Sequence, residues 1–182
     1  SHYRKCLEAV REKTPEVSLE LLCSDLAGDL QALSDLLEGL ELEVFAHNVE
    51  CVPRLDKKVR DHRASFKQSI GILKEAKRLR PDILTKSSIM VGLGETDEEI
   101  TEALQMLKDA QVDLVTIGQY LAPSPKHLPV DRFPEPSRYD EWSTQIEEMG
   151  FLGWACGPLV RSSYRAGELL AKASARLRTA KE

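Results

Sequence analysis

Short apolar runs rich in leucine, isoleucine and valine alternate along this chain with stretches whose apolar residues recur at helical spacing. That alternation limits the fold more than any other feature. Residues 17–22, 42–45, 83–91 and 114–117 read as strands. Between them, Leu30, Leu33, Leu36 and Leu37 form one helical stripe, and Ile70, Ile72, Leu73, Ala76 and Leu79 form a second. Ile100, Ala103, Leu104 and Leu107 form a third. The third helix has a marked start. Thr96 is placed to cap it, and Asp97, Glu98 and Glu99 follow in the first turn, where the helix dipole favours carboxylates. Glu99, three residues after Thr96, completes a capping box. Pro81-Asp82 ends the preceding helix after the basic run 77–80. Strand–helix alternation implies parallel strands joined by right-handed crossovers. Four such strands fit either a doubly wound sheet or part of a (βα) barrel, and in both the chemistry collects at the C-terminal strand ends.

After the fourth strand the texture changes. Pro123, Pro125, Pro129, Pro134 and Pro136 crowd one short stretch, too many for regular structure, so an extended connection that wraps another part of the fold is expected. A helix over 136–149 follows, then a short apolar strand over 151–155, a Cys156-Gly157-Pro158 turn and a charged helix from Gly167 to Glu182. The chain thus divides into residues 1–120 and a C-terminal extension, 121–182.

Composition narrows the function classes. A length of 182 residues with 42% hydrophobic content suits one globular domain, and aromatics at 5% leave its core to Leu, Ile, Val and Ala. A net charge of −5 gives no basic footprint for nucleic acid. No apolar run approaches the roughly 20 residues of a membrane span. Ser1 opens directly into charged sequence with no visible signal or transit peptide, and a start in mid-helix without Met reads as a fragment or processed piece. Cys6, Cys23, Cys51 and Cys156 are scattered, no two within four residues. Metal sites draw clustered thiolates from one loop, so these read as reduced core cysteines.

Four strand ends or turns offer chemistry. In Ala46-His47-Asn48-Val49-Glu50, alternation points Asn48 and Glu50 to one side, where an amide and a carboxylate can grip a vicinal diol. An ordinary polar loop would carry the same residues. In Ser87-Ser88-Ile89-Met90-Val91-Gly92-Leu93-Gly94-Glu95 an apolar strand ends in Gly-x-Gly, which lets backbone approach a ligand closely or simply makes a tight turn, and it has neither the third glycine nor the lysine of phosphate-binding motifs. Thr116-Ile117-Gly118-Gln119-Tyr120 is a third strand end, where Tyr120 could stack on an aromatic ligand or cover the core. Arg161-Ser162-Ser163-Tyr164 suits an anion or caps the last helix. No Gly-x-Ser-x-Gly elbow or histidine-based metal spacing is present. These residues alone indicate an α/β half-barrel with a site for a nucleotide-like molecule.

Taken together, the segments resemble the lipoyl synthase family of the radical S-adenosylmethionine (SAM) superfamily. The resemblance runs through the segment 46–55, Val59-Arg60-Asp61-His62-Arg63-Ala64-Ser65-Phe66 with Gln68-Ser69, the segment 85–96, Gly118-Gln119-Tyr120-Leu121 with 126–130, and the segment 157–164. It implies a partial (βα)6 TIM-like radical SAM barrel, strands three to six plus a C-terminal extension. It implies SAM and two [4Fe–4S] clusters as cofactors, and insertion of two sulfur atoms at C6 and C8 of a protein-bound octanoyl-lysine. By that resemblance Asn48 and Glu50 hold the ribose, Val91 and Gly92 lie near the adenosyl part, and Ser69 belongs to the cofactor-binding set. Lys86 meets the methionine carboxylate, Gln119 and Tyr120 line the adenine end, and Ser163 ligates an iron of the auxiliary cluster. Expected partners are octanoylated lipoyl carrier domains (glycine cleavage H protein, 2-oxoacid dehydrogenase E2) and an electron donor such as ferredoxin or flavodoxin. Cytoplasm, mitochondrial matrix and plastid stroma all fit.

Departures qualify the likeness. Where the family reads Pro-Asp-Phe-Arg-Gly, this chain has Ser24-Asp25-Leu26-Ala27-Gly28, and neither of the family's cysteine triplets is present. Two other readings follow: a biotin synthase-like sulfur-inserting enzyme, which should not end in Arg161-Ser162-Ser163-Tyr164, and a non-catalytic remnant that binds a carrier or partner subunit.

Overall fold

The computed structural model describes residues 2–179. The expected continuation of the last helix to Glu182, and the expectations drawn at Ser1, lie outside the described residues. The elements are α1 (His2–Lys13), β1 (Glu20–Leu22), α2 (Leu30–Leu37), β2 (Val44–Ala46), α3 (Asp56–Val59) and α4 (Phe66–Leu79). They continue with β3 (Leu84–Val91), α5 (Asp97–Asp109), β4 (Leu114–Gln119), α6 (Pro136–Glu148), β5 (Gly153–Gly157) and α7 (Ala166–Thr179).

All neighbouring strands pair in parallel, and their spatial order is their chain order, β1-β2-β3-β4-β5. A doubly wound sheet reverses its order at a switch point. Here each strand adds on the same side of the last, which makes the sheet an arc of a (βα) barrel. The strand after the proline-rich stretch joins this arc, Leu114 to Gly118 pairing with Gly153 to Gly157, so one sheet runs across residue 120.

Strand parity separates the two faces. Phe45, Ile89, Val91, Val115 and Ile117 point outward under the helices, in clusters with Leu33, Leu36, Leu73, Ile100, Leu104 and Trp142. The capping box of α5 forms as expected, the Thr96 hydroxyl accepting from the Glu99 N–H while the Glu99 carboxylate accepts from the Thr96 N–H. This fixes where α5 starts, so Ile100, Ala103, Leu104 and Leu107 all land on the sheet, fully buried. The inner face begins with Val44, Leu84 and Leu114 at the strand starts, and α7 covers them with Leu170 and Ala173. The strand ends stay open on that face.

The proline-rich stretch wraps the exits of β3 and β4. The Tyr120 hydroxyl donates to the Leu128 carbonyl at 2.9 Å, and the Asp131 N–H to the Gly92 carbonyl at 2.8 Å. Arg132 reaches Asp97 at 3.1 Å and Glu95 at 3.4 Å.

Candidate functional site

The open end of the arc holds a cavity of about 180 Å³ lined by Asn48, Glu50, Ser88, Ile89, Met90, Gly118, Gln119, Leu121, Val160, Arg161 and Ser162. Whole small-molecule sites occupy roughly 300–1,000 Å³, so this cavity takes part of a ligand, about a sugar's worth, and leaves the remainder outside. A larger cavity of about 420 Å³ lies by α7 at the start of β5, away from these strand ends.

Asn48 and Glu50 do share the cavity, but through a different geometry from plain alternation. The His47 N–H donates to the Lys86 carbonyl and the Glu50 N–H to the Ser88 carbonyl, so three residues on one strand span two on the other. Such a bulge re-aims side chains. Glu50 absorbs the extra residue with φ at 68°, a left-handed conformation that non-glycine residues hold only where the surroundings enforce it. Here the enforcing contacts are its N–H to Ser88 and its carbonyl, which accepts from the Met90 N–H at 2.8 Å.

The electrostatics of the pair favour a donor-rich ligand. Burial pushes the Glu50 carboxyl above its ordinary value, against a hydrogen bond from Asn48 and the charge of Arg60, which hold it down. Asn48 itself carries an amide oxygen that can only accept. That oxygen is buried and has no hydrogen-bond partner. A buried acceptor left open costs about 1–3 kcal/mol, and a ligand hydroxyl would recover it. Two acceptors side by side suit the two donors of a vicinal diol such as a ribose presents. Adjacent to them, Ser88 accepts from the Thr116 hydroxyl at 2.9 Å.

The C-terminal segment closes the cavity where Gly118 lets it approach. A Cβ at Gly118 would lie 2.2 Å from the Val160 carbonyl oxygen, so only glycine admits this segment to the mouth. Val160, Arg161 and Ser162 line the cavity, whereas Ser163 is exposed beside them.

The other expected site residues spend their polar groups inside the fold. Lys86 points inward as anticipated, yet it is 1% exposed and pairs with both carboxylate oxygens of Glu20, at 2.8 and 2.9 Å. The Ser69 hydroxyl meets the His47 ring at 2.7 Å. The N–H groups of Gly92 and Leu93 donate to the Glu95 carboxylate at 2.8 and 2.9 Å. The space that Gly92 leaves is filled by Gln119 and the Arg132 carbonyl, and Val91 is buried under α5. Gln119 donates to the carbonyls of Tyr120 and Arg132, and the Tyr120 hydroxyl is tied to Leu128 in the proline-rich stretch that straps the strand exits. Ser88 and Met90, within the strand end that the sequence marks, line the cavity as well, and the two-residue period from inward-facing Lys86 selects them.

Iron–sulfur clusters do not fit this donor set. No three His, Cys, Asp or Glu among the described residues converge to hold a metal. Burial lifts the thiols of Cys23 and Cys156 to about 11 and that of Cys51 to about 12, away from the thiolate a cluster requires. Cys6 is exposed.

Comparison with known proteins adds to this geometry. A family profile described as "Radical SAM superfamily" matches residues 2–107. The chloroplastic lipoyl synthase of Arabidopsis thaliana is 50% identical over 171 residues, covering 94% of this chain and 43% of that protein. The lipoyl synthase of Halorhodospira halophila is 50% identical over 169 residues, covering 93% and 50%. The mitochondrial lipoyl synthase of Bos taurus is 46% identical over 172 residues, covering 94% and 46%. The chain spans about half the length of these curated relatives. A 2,3-dimethylmalate lyase structure aligns with a TM-score of 0.49 at 12% identity, covering 98% of this chain and 66% of that one. The chain belongs to the radical SAM superfamily, and the relatives it resembles over nearly its whole length are lipoyl synthases.

Proposed function

We propose that this chain is the SAM-binding C-terminal part of a lipoyl synthase, which inserts two sulfur atoms at C6 and C8 of a carrier-bound octanoyl-lysine. The observation that carries the reading is the unpartnered Asn48 oxygen beside Glu50, in a cavity at the strand ends that Arg161 and Ser162 close. When bound, SAM supplies the radical chemistry. The chain's own part is to hold the ribose through Asn48 and Glu50, to keep water off it with Met90, Leu121 and Val160, and to fix the mouth with the C-terminal segment. Ser163 is the proposed oxygen ligand of an auxiliary cluster whose thiolates come from outside the described residues. The partners that go with this reading are an octanoylated lipoyl carrier domain and a ferredoxin-type or flavodoxin-type donor. The compartment is the cytoplasm, or the mitochondrial matrix or plastid stroma in a eukaryote. No helix of the described residues is long and apolar enough to cross a membrane.

The site is tested by titrating the chain with adenosine and 2′-deoxyadenosine and following binding by calorimetry or ligand-observed NMR. Adenosine should bind more tightly by about tenfold or more, the worth of hydrogen bonds to a charged acceptor. Asn48→Ala and Glu50→Gln should each erase that preference. Equal binding of both nucleosides to the unaltered chain would overturn the assignment.

A further inference from the structure

Asn48 and Glu50 present acceptors to the strand-end cavity, and a ligand that fits them must also meet the donors beside them. Most of the polar side chains in the lining are already served. Gln119 gives its amide hydrogens to the carbonyls of Tyr120 and Arg132, and its oxygen accepts from the Tyr139 hydroxyl at 3.2 Å. Arg161 donates to the Val160 carbonyl at 2.7 Å and is otherwise exposed to solvent. Ser162 is half-exposed, so water reaches its hydroxyl.

Ser88 is different. It is buried, lines the cavity, and stands directly across the ladder from Thr116, which is fully buried. The two hydroxyls are 2.9 Å apart, and neither has another side-chain hydrogen bond among the described residues. Burial decides which of them donates. The Thr116 proton has no acceptor within reach except Ser88. Were Ser88 to donate instead, a fully buried proton would be stranded, and native folds pair such groups. Thr116 therefore donates. The Ser88 proton is left without a protein acceptor, on a side chain that faces the cavity.

The place of this donor says what it meets. The Glu50 N–H donates to the Ser88 carbonyl at 3.1 Å, and Glu50 bridges to Ile89, so the two residues are neighbours on adjacent strands. Adjacent strands lie about 4.8 Å apart, a gap that one small ring spans. The cavity of about 180 Å³ takes a sugar and leaves the rest of a ligand outside. The acceptor opposite Ser88 thus belongs to the sugar. In a nucleoside the diol carbons are held by Asn48 and Glu50, and the other ring carbons carry the base and the 5′ substituent. The ring oxygen is the acceptor that remains, and an ether oxygen can only accept.

We propose that Ser88 is the donor that recognises the ring oxygen of a furanose whose diol lies on Asn48 and Glu50, and that Thr116 positions it. The proposal rests on the SAM-binding reading and adds to it how the sugar is oriented. The test is calorimetric titration with adenosine and with its carbocyclic analogue, in which CH2 replaces the ring oxygen. The unaltered chain should bind adenosine about fivefold more tightly than the analogue, the worth of one hydrogen bond. Ser88→Ala should remove that ratio by weakening adenosine alone. Thr116→Val frees the Ser88 hydroxyl to turn away and should lower the ratio part of the way, while Thr116→Ser keeps it. A merely structural role would weaken both ligands together and leave the ratio untouched. The proposal is overturned if the unaltered chain binds both ligands equally, or if Ser88→Ala leaves the ratio as it was. A full ratio in Thr116→Val would remove Thr116 from the account. Preference for adenosine over 2′-deoxyadenosine should persist in every variant, because it belongs to Asn48 and Glu50. Absence of adenosine binding by the unaltered chain would instead sink the SAM-binding reading, and this subsite with it.

Discussion

His47 shows how one buried side chain couples the neighbourhood of the site to pH. Its ring bridges the Cys23 carbonyl, 2.9 Å from Nδ1, and the Ser69 hydroxyl, 2.7 Å from Nε2. A carbonyl only accepts, so Nδ1 carries the proton, and the neutral ring accepts from Ser69 through Nε2. Burial is the main cause that lowers its affinity for a second proton, with Arg60 adding to the effect and the Cys23 hydrogen bond and Asp25 opposing it. The sign follows from linkage. The unfolded chain takes up a proton near the ordinary value of 6.5, before the folded one does. His47 therefore costs nothing above that value and destabilises the fold as pH falls below it, until the folded ring also protonates. Melting temperature should drop from pH 7 to pH 5 in the wild type and drop less in His47→Gln. A wild-type to variant difference that is the same at both pH values would remove this account.

At the scale of elements, what the sequence disclosed tracks how local each determinant is. The start of α5 is written in four consecutive residues, and the capping box forms as they require. Thr96→Ala should cost about 1 kcal/mol, read as a lower denaturant midpoint at unchanged slope, and a loss within error of zero would mean the box is ornamental. The strand exits were likewise readable, because each is an apolar run meeting polar or glycine residues. The bulge at 47–50 was not, since its extra residue shows only when β2 is laid against β3. Nor could sequence alone say what the glycines approach. Gly92 and Gly118 each clear a path for another part of the same chain, and those partners lie far along the sequence, at Arg132 and Val160. The same limit hid the commitments of Lys86 to Glu20 and of Gln119 to the strap, because an inward-facing polar residue looks alike whether it waits for a ligand or for a neighbour.

Across the whole molecule, the two ends of the barrel arc divide the work. At the strand starts α7 lays Leu169, Leu170 and Ala173 against the fold. At the strand ends the bulge, the glycine-admitted segment and the cavity come together. Barrels commonly separate stability from activity in this way. The separation predicts opposite outcomes for two substitutions. Leu169→Ala removes a buried side chain from the α7 contact and should cost about 2–5 kcal/mol, yet leave adenosine affinity intact at temperatures where the chain stays folded. Gly118→Ala drives a methyl group into the Val160 carbonyl, and backbone cannot move aside as a flexible side chain can. The cheapest relief is for residues 160–162 to lift away, which should weaken adenosine binding about tenfold or more at a smaller loss of stability. Chemical denaturation and nucleoside titration on the two variants make the comparison. If Leu169→Ala also abolished binding in the folded protein, or Gly118→Ala left it unchanged, the site would not be built on the strand ends as described.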